Sequence, residues 1–265
     1  MTSTPPPLRP RPQDRAPNNH QGNLMRPKII CHMIGSIDGR LLVERWTDPA
    51  AGGSRTALLA QYETVASRFV SDGWIVGRTT MALHYAKAKA RRVVPDGNIA
   101  REPFLGARNG RSLAVAIDPK GKLHYGRAEV DGCHIVAVLG EEVPDAYLAE
   151  LREDGVSYLF AGPDGKDLAG ALDILGGRFG ATTLLLEGGG ILNGAFLKAG
   201  LIDEISLLVY PGIDGSAGAP SIFEASGEPE DRPASGLSLR PLGSEILEGG
   251  LAWLHYAVES GRRPD

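Results

Sequence analysis

The feature that most constrains the fold of this chain is a short apolar run that ends in an acidic residue and three glycines before a helical pattern begins. Residues 182–186 have the length and the β-branched start of a buried strand, and Glu187 follows them. After Gly188, Gly189 and Gly190, apolar residues recur at helical spacing from 191 to 199. Such a junction can build an anion site, because glycines let the main chain approach a phosphate and a helix start offers unpaired N–H groups.

The same glycines allow a simpler interpretation. The full dinucleotide fingerprint has a further glycine where this chain has Asn193, so the turn could serve only to join a strand tightly to a helix. Glu187 favours the ligand-binding interpretation, because a carboxylate at the end of the strand would face a molecule bound at the turn.

A second segment follows the same design. Trp74–Val76 is predicted as a short buried strand, and Gly77, Arg78, Thr79 and Thr80 begin the next helix. Arg78 could hold a phosphate through its guanidinium group, with the hydroxyl of Thr80 beside it. The alternative is that Thr79 or Thr80 only caps the helix and that Arg78 is solvated.

Two acidic residues follow other predicted strands. Asp38 lies in the turn Ser36-Ile37-Asp38-Gly39 after the strand pattern of residues 28–35, and Asp118 follows the strand pattern of residues 112–117. Each could simply form an Asx turn. The functional interpretation places both carboxylates at the carboxyl edge of a sheet, where open α/β proteins bind their ligands.

Composition argues against several classes of function. The net charge of −4 gives no electrostatic reason to expect a nucleic acid partner, and no apolar run approaches membrane-spanning length. Cys31 and Cys133 lie in apolar strand-like surroundings without zinc-ligand spacing, so we expect buried thiols, no metal site and a cytoplasmic location. The chain has neither a Gly-x-Ser-x-Gly elbow nor a Walker glycine–lysine pattern, which argues against a hydrolase of that type and an NTPase.

The histidines carry no metal-binding pattern either. His32 and His134 lie within apolar strands and are predicted to be hydrogen-bonded core residues, whereas His84 and His124 are predicted to be exposed.

Strand and helix patterns alternate through the middle of the chain, which predicts an α/β fold with a mostly parallel central sheet flanked by helices. The last two strand patterns have no helix between them and are predicted to be antiparallel. Residues 1–26 are rich in proline and lack an apolar signal region, so they are predicted to be a disordered tail, and residues 27–260 a single domain. The predicted strands are 28–35, 74–76, 112–117, 134–139, 156–160, 182–186, 205–210, 237–242 and 251–258, and the main predicted helices are 54–69, 145–153, 166–179 and 191–199.

Taken in order, three of these segments resemble a known family. They are Ser36-Ile37-Asp38-Gly39-Arg40, Val76-Gly77-Arg78-Thr79-Thr80 and Glu187-Gly188-Gly189-Gly190. They are similar to segments of the reductase domain of bacterial riboflavin biosynthesis, the C-terminal domain of the bifunctional deaminase/reductase, which has the dihydrofolate-reductase-like fold. The runs Gly200–Glu204 and Tyr210–Gly215 match that family's pattern as well, and the resemblance extends over residues 28–258.

The resemblance implies an NADPH-dependent reductase that acts on a 5-amino-6-(5-phosphoribosylamino)uracil-type pyrimidine, or on its still-aminated precursor, and converts the ribosyl side chain to ribityl. It implies that residues 77–80 contact the cofactor phosphates, Arg78 the 2′-phosphate, and residues 188–190 the pyrophosphate. Asp38 and Glu187 are then the catalytic residues, and both bind the substrate together with Ser36. The family also implies a homodimer.

One family segment has no counterpart that we can place. Biosynthetic members carry Asp-x-Pro-x-Leu-Thr-x-Arg after the Gly-x-x-Thr helix, and that segment helps to bind the substrate phosphate. This chain has a basic stretch there, in which Arg91, Arg92 and Arg101 could bind the phosphate or belong to a solvated loop. The alternatives are therefore a paralogous NADPH-dependent reductase of another heterocycle or carbonyl compound, or a non-catalytic nucleotide-binding protein.

Overall fold

A computed structural model of the chain describes residues 26–50, 53–91, 93–95, 97–225, 227–228 and 230–260. The predicted disordered tail lies outside the described residues except for Arg26. Within them the chain forms ten strands and five α-helices, and the predicted α/β class is confirmed. The strands are β1 (Lys28–Ser36), β2 (Gly73–Gly77), β3 (Leu113–Ile117), β4 (Glu129–Val130), β5 (Cys133–Leu139), β6 (Ser157–Phe160), β7 (Thr183–Leu186), β8 (Glu204–Tyr210), β9 (Leu237–Ile246) and β10 (Ala252–Ser260). The helices are α1 (Arg55–Ala66), α2 (Arg78–His84), α3 (Asp145–Glu153), α4 (Leu168–Phe179) and α5 (Gly190–Lys198).

These elements pack as two compact units, of which the first is built from Ser71–Leu184. In it β2, β3, β5 and β6 pair in parallel in that order, and the short β4 pairs antiparallel with the start of β5. Every residue of β3 and β5 is buried. A parallel strand that is covered on both faces has no solvent side, which explains why these two strands are apolar in the sequence except for His134 in β5.

The second unit is built from Lys28–Val70 and from the chain after Leu184. Here β1 and β8 are parallel, and β8, β10 and β9 follow as antiparallel neighbours, as predicted for the C-terminal strands. Ser54 caps α1 as expected, since its side chain accepts a hydrogen bond from the N–H of Ala57. The core of this unit contains Trp46, Leu58, Val65, Leu208, Tyr210 and Leu251. A single domain over residues 27–260 stays a prediction.

The register within each unit decides which loops lie together. In the first unit Gly77 at the end of β2 is opposite Ile117 at the end of β3, so Arg78 and Asp118 follow neighbouring strand ends. In the second unit Ser36 at the end of β1 is opposite Tyr210 at the end of β8, so the turn that contains Asp38 lies beside residues 211–215. Both pairs of loops lie at carboxyl ends of parallel strands, where ligands of α/β proteins bind.

Candidate functional site

The Asp38 carboxylate is held in place by hydrogen bonds from two segments. Its Oδ1 accepts from the hydroxyl of Ser36 at 2.6 Å and from the N–H of Asp214 at 3.1 Å, and its Oδ2 accepts from the N–H of Gly215 at 2.8 Å. The Ser36 hydroxyl in turn accepts the N–H of Arg40 at 3.0 Å. Asp38 therefore joins the turn after β1 to the loop after β8.

These contacts also determine the protonation state of Asp38. The hydrogen bond from Ser36 lowers the pKa of Asp38 most, the N–H of Gly215 adds to this, and the pKa falls to about 2. A carboxyl group with such a pKa is ionised throughout the neutral range and is a poor proton donor. Because the side chain remains 30 % exposed, it can still accept a hydrogen bond from a ligand hydroxyl.

The loop after β8 contributes a buried charge that the sequence did not single out as functional. The side chain of Asp214 is fully buried, and its Oδ2 lies 3.2 Å from Nε of Arg45. Two further hydrogen bonds connect Thr47 and Ile213, one from each backbone N–H. The segment that contains Arg45 is therefore fixed to the end of β8. Asp214 lies in a run that matches the family pattern, but nothing in the sequence indicated Arg45 as its partner.

Gly188, Gly189 and Gly190 differ in how much space surrounds them. None has a positive φ, so backbone conformation does not require glycine at these positions, and only the space available for a Cβ distinguishes them. A Cβ at Gly190 would lie 2.1 Å from the carbonyl oxygen of Ser221, whereas a Cβ at Gly189 would meet nothing within 4 Å. The atoms nearest to a Cβ at Gly188 would belong to the side chain of Leu192, the first of them at 2.5 Å. Gly190 is thus required by packing, and the open side of the turn is at Gly189.

The turn at Gly189 has the properties of an anion site. Gly189 is the N-cap residue of α5 and supplies no side-chain cap. The N–H of Leu192 donates to the carbonyl oxygen of Gly189 at 3.0 Å, and the N–H groups before it in the turn are left to another acceptor. Glu187 is partly buried at the end of β7, directly before the turn. The helix begins at Gly190, one residue before the predicted start, and is nine residues long.

Segment Ala219–Ala225, which we call the strap, contacts both turns of this unit. It receives hydrogen bonds from Arg40 and Leu41 after β1, and it bonds to Gly190 and Asn193 at the start of α5. Asn193 thus has a packing function at the place where the dinucleotide fingerprint has a glycine.

In the first unit, Gly77 is the N-cap residue of α2, so the interpretation that Thr79 or Thr80 caps this helix is wrong. Arg78 and Thr79 are exposed and Thr80 is partly buried. Within the described part of the chain, the guanidinium of Arg78 makes no hydrogen bond or ion pair. Its charge acts on the buried Asp118, but an exposed guanidinium that forms no hydrogen bond can still bind an anionic ligand.

Asp118 is a fully buried carboxylate that closes a turn. Its Oδ2 accepts the N–H groups of Lys122 at 2.6 Å and Leu123 at 2.8 Å, while its Oδ1 has no partner among the described residues. Burial raises the pKa of Asp118, and the two N–H groups and then the charge of Arg78 lower it in part. These contacts favour the turn-forming interpretation of Asp118.

The basic stretch after α2 does not offer its arginines to a ligand. Arg91 pairs with Asp154, and Arg101 pairs with Asp145 at 2.5 Å while it also donates to three backbone carbonyl groups. Arg92 lies outside the described residues. The hypothesis that Arg91 and Arg101 replace the missing phosphate segment therefore has no support from their contacts.

The histidines agree with prediction in three of four cases. His32 and His134 are buried and hydrogen-bonded, to Ser206 and Ser157 respectively, and His84 is exposed. His124 was predicted to be exposed, but its side chain is only 23 % exposed and Nδ1 lies 2.9 Å from buried Glu150. The reason is that α3 carries Glu150 on its buried face, where His124 supplies a polar partner.

Both cysteines are buried and neither forms a disulfide, as expected. No group of three or more His, Cys, Asp or Glu side chains in the described ranges is arranged to hold a metal ion. None of the described helices is long and apolar enough to cross a membrane.

The fold and the strand-end loops define the class of protein: a mixed α/β protein with candidate binding groups at the carboxyl ends of parallel strands. The chain belongs to the family of the RibD C-terminal domain, whose model matches residues 27–252. This identifies it as an enzyme of the reductase class, for which a nicotinamide cofactor and a small-molecule substrate are expected. The predicted family relationship is confirmed.

Individual relatives agree with this. The chain is 26 % identical over 230 residues to the 2,5-diamino-6-ribosylamino-4(3H)-pyrimidinone 5′-phosphate reductase of Methanothermobacter thermautotrophicus. The aligned region covers 84 % of this chain and 97 % of that protein. RibD of Acinetobacter baumannii matches 88 % of this chain at 21 % identity and a TM-score of 0.56, and this chain spans 58 % of that protein. The structure of a pyrimidine reductase-like protein of Corynebacterium diphtheriae matches 88 % of this chain at 17 % identity and a TM-score of 0.59, and the match covers 92 % of that protein. The two structures confirm the dihydrofolate-reductase-like fold.

Proposed function

We propose that this protein is an NADPH-dependent reductase that converts the ribosyl side chain of a phosphorylated aminopyrimidine to a ribityl chain in riboflavin biosynthesis. The observation that carries the proposal is the family match over residues 27–252. The substrate is a 5-amino-6-(5-phosphoribosylamino)uracil-type pyrimidine or its still-aminated precursor, and the name of the Methanothermobacter relative favours the precursor.

Each unit offers residues that suit a phosphate group. In the second unit the open side of Gly189 and the uncapped start of α5 leave room and N–H donors for a pyrophosphate, with Gly188 and Gly190 completing the turn. In the first unit Arg78 is exposed and unpaired among the described residues, which suits the 2′-phosphate that distinguishes NADPH from NADH. Gly77, Thr79 and Thr80 surround Arg78 and would contact the same phosphate groups.

When bound, NADPH supplies the hydride, and the protein contributes orientation and electrostatics. We assign Asp38 to orienting the substrate, because its ionised carboxylate can accept a hydrogen bond from a sugar hydroxyl, whereas a pKa of about 2 makes it unsuited to donate the proton. Ser36 keeps that carboxylate ionised and in place. Glu187, at the end of β7, is the second proposed catalytic residue and positions sugar hydroxyl groups.

The test is to follow NADPH oxidation with the enzymatically generated aminopyrimidine ribosyl phosphate, in aminated and deaminated form, with NADH in parallel. Arg78→Gln should raise the KM for NADPH by about 10- to 100-fold, the worth of a charge-assisted bond, and leave the KM for NADH nearly unchanged. Arg127→Gln, at another exposed arginine of the same unit, is the control and should behave as wild type. Equal use of NADH and NADPH by the wild type would contradict the cofactor assignment.

A second candidate is a paralogous reductase of another heterocycle or carbonyl compound. It is favoured by the lack of the family's phosphate-binding segment and by the internal ion pairs of Arg91 and Arg101. NADPH oxidation with a non-phosphorylated pyrimidine or pterin, and none with the ribosyl phosphate, would establish this candidate. Binding of NADPH without oxidation across the whole panel would instead indicate a non-catalytic nucleotide-binding protein.

We propose a homodimer in the cytoplasm, in which the outer face of the C-terminal strands is the contact. Trp253 and His255 pack against Phe69, so Leu254 and Tyr256 point to the opposite side of β10, where both are partly exposed. The two cysteines are buried and form no disulfide, which suits a reducing compartment.

Leu239 on β9 is exposed and is opposite Val258 on β10. It therefore extends the face of the sheet that carries Leu254 and Tyr256. Leu239→Glu should therefore give a monomer in size-exclusion chromatography with light scattering, because it buries a charge in an apolar contact. Val70→Glu, at an exposed apolar residue elsewhere, should leave the dimer intact. A monomeric wild type would refute the proposed assembly.

A further inference from the structure

The strap, Ala219–Ala225, is attached at one end to the turn that carries Asp38. The Nη1 of Arg40 donates to the carbonyl oxygen of Ala219 at 2.9 Å, and the N–H of Leu41 donates to that of Pro220 at 3.0 Å. Arg40 and Ser221 also form an isolated antiparallel bridge. Movement of the strap would therefore move the residues directly after Asp38.

At its other end the strap is attached to the start of α5. The N–H of Glu224 donates to the carbonyl oxygen of Gly190 at 2.9 Å, and Nδ2 of buried Asn193 donates to the carbonyl oxygen of Ile222 at 2.9 Å. A Cβ at Gly194 would lie 2.3 Å from the carbonyl oxygen of Glu224. The backbone of the strap thus lies directly against the helix turn that begins with Gly190, where a side chain would force it away.

The strap is also fixed internally. The carboxylate Oε1 of Glu224 accepts the N–H of Ser221 at 3.0 Å, and the hydroxyl of Ser221 donates to the carbonyl oxygen of Phe223 at 2.9 Å. These two bonds close the segment into a turn of defined shape. A closed turn transmits a displacement from one end to the other, whereas an extended flexible segment would absorb it.

We infer that the strap sets the spacing between the Asp38 turn and the Gly188–Gly190 turn, and that Arg40 and Glu224 are positioning residues for hydride transfer. This inference rests on the proposed function, in which Asp38 orients the substrate and the glycine turn holds the cofactor. Reacting atoms must approach to about 3–3.5 Å, and a misplacement of about 1 Å can lower the rate by about 100-fold. A connection between the two turns is therefore a means of keeping donor and acceptor aligned.

The test compares Glu224→Ala with Glu224→Gln, whose amide oxygen can still accept the N–H of Ser221. Glu224→Ala should lower kcat by about tenfold or more and weaken NADPH binding, measured by fluorescence without substrate, while Glu224→Gln should restore both to within about threefold. Glu228→Ala, at an exposed glutamate beyond the strap, is the matched control. A lower Tm for Glu224→Ala with unchanged kcat would show that Glu224 is merely structural, and failure of Glu224→Gln to restore activity would overturn its role as an acceptor.

Arg40→Gln tests the same connection from the other end, and it remains informative if Glu224→Ala does not fold. Loss of the bond to Ala219 should weaken NADPH binding by about threefold or more, although Arg40 belongs to the substrate turn. Unchanged NADPH affinity in Arg40→Gln would refute the connection between the turns. NADPH affinity is measured without the pyrimidine. A wild type that binds NADPH but does not oxidise it would therefore refute the proposed substrate, while the NADPH affinity of Arg40→Gln would still test the connection between the turns. A wild type that does not bind NADPH would overturn both proposals.

Discussion

Gly189 and Gly190 are neighbours, yet their replacement by alanine should have opposite effects on stability. A Cβ at residue 190 would lie 2.1 Å from the carbonyl oxygen of Ser221, more than 1 Å inside an ordinary carbon–oxygen contact of about 3.3 Å. The strap or the helix must move, so Gly190→Ala should be destabilised by about 1–3 kcal/mol. For a chain of this size that corresponds to a fall in Tm of about 2–12 °C.

Gly189→Ala should leave the folded protein intact. The Cβ would meet nothing within 4 Å, and the φ and ψ of −63° and 170° suit alanine. Loss of a glycine restricts the unfolded chain, which should raise the free energy of unfolding by up to about 1 kcal/mol. The methyl group would, however, occupy the space through which a pyrophosphate approaches the backbone. We expect the Kd for NADPH to rise by about tenfold or more, equivalent to about 1.4 kcal/mol.

The assay is a thermal or urea unfolding curve together with a fluorescence titration of NADPH for the wild type and both variants. The informative result is a Gly189→Ala protein that is at least as stable as the wild type but binds the cofactor poorly. If Gly189→Ala binds NADPH with wild-type affinity, the turn does not contact the pyrophosphate, and the glycines serve only the strand–helix junction and the strap.

Two further predictions concern pH. Burial, followed by the charges of Arg111 and Arg108, lowers the pKa of His134, so the folded state keeps it neutral while the unfolded state binds a proton below about pH 6.5. The free energy of unfolding should therefore fall as the pH is lowered from about 6.5, with His134 contributing at most about 1.4 kcal/mol per pH unit. Urea unfolding of His134→Gln should show a shallower dependence, and a slope equal to that of wild type would refute this. For Asp38, whose pKa of about 2 keeps it ionised, Asp38→Asn should lower kcat without removing any acid limb of the pH–rate profile between about pH 4 and 8. An acid limb that disappears in Asp38→Asn would mean that Asp38 does titrate in this range.

The sequence predicted those features that depend on local pattern. Helix α3 has the predicted bounds, and the buried strands β3 and β5 were recognisable because a covered parallel strand is mostly apolar, with His134 as the one polar residue of β5. The two-residue strand β4 was missed, since two residues carry no periodicity.

Features that depend on residues far apart in the chain could not be read from the sequence. The requirement for glycine at residue 190 arises from Ser221, about thirty positions later, and the ion pair of Asp214 involves Arg45. The ionised state of Asp38 likewise depends on Gly215 as well as on the neighbouring Ser36. Sequence motifs located the turns, but the side-chain contacts that define their chemistry required the structure.

The division of the chain between the two units affects the order in which the protein can form during synthesis. Apart from Arg26 and Pro27, the described residues of the first unit form one segment, Ser71–Leu184, whereas the second unit joins residues before and after it. Within the second unit the N–H of Ile29 bonds to the carboxylate of Asp203, 174 positions later. At the usual rates of translation, the strands that complete this unit leave the ribosome on the order of ten seconds after Leu184 is added. During that interval β1 has no β8 to pair with, and its apolar residues must be shielded in some other way. The nascent enzyme is therefore most vulnerable to aggregation before β8 and β10 emerge.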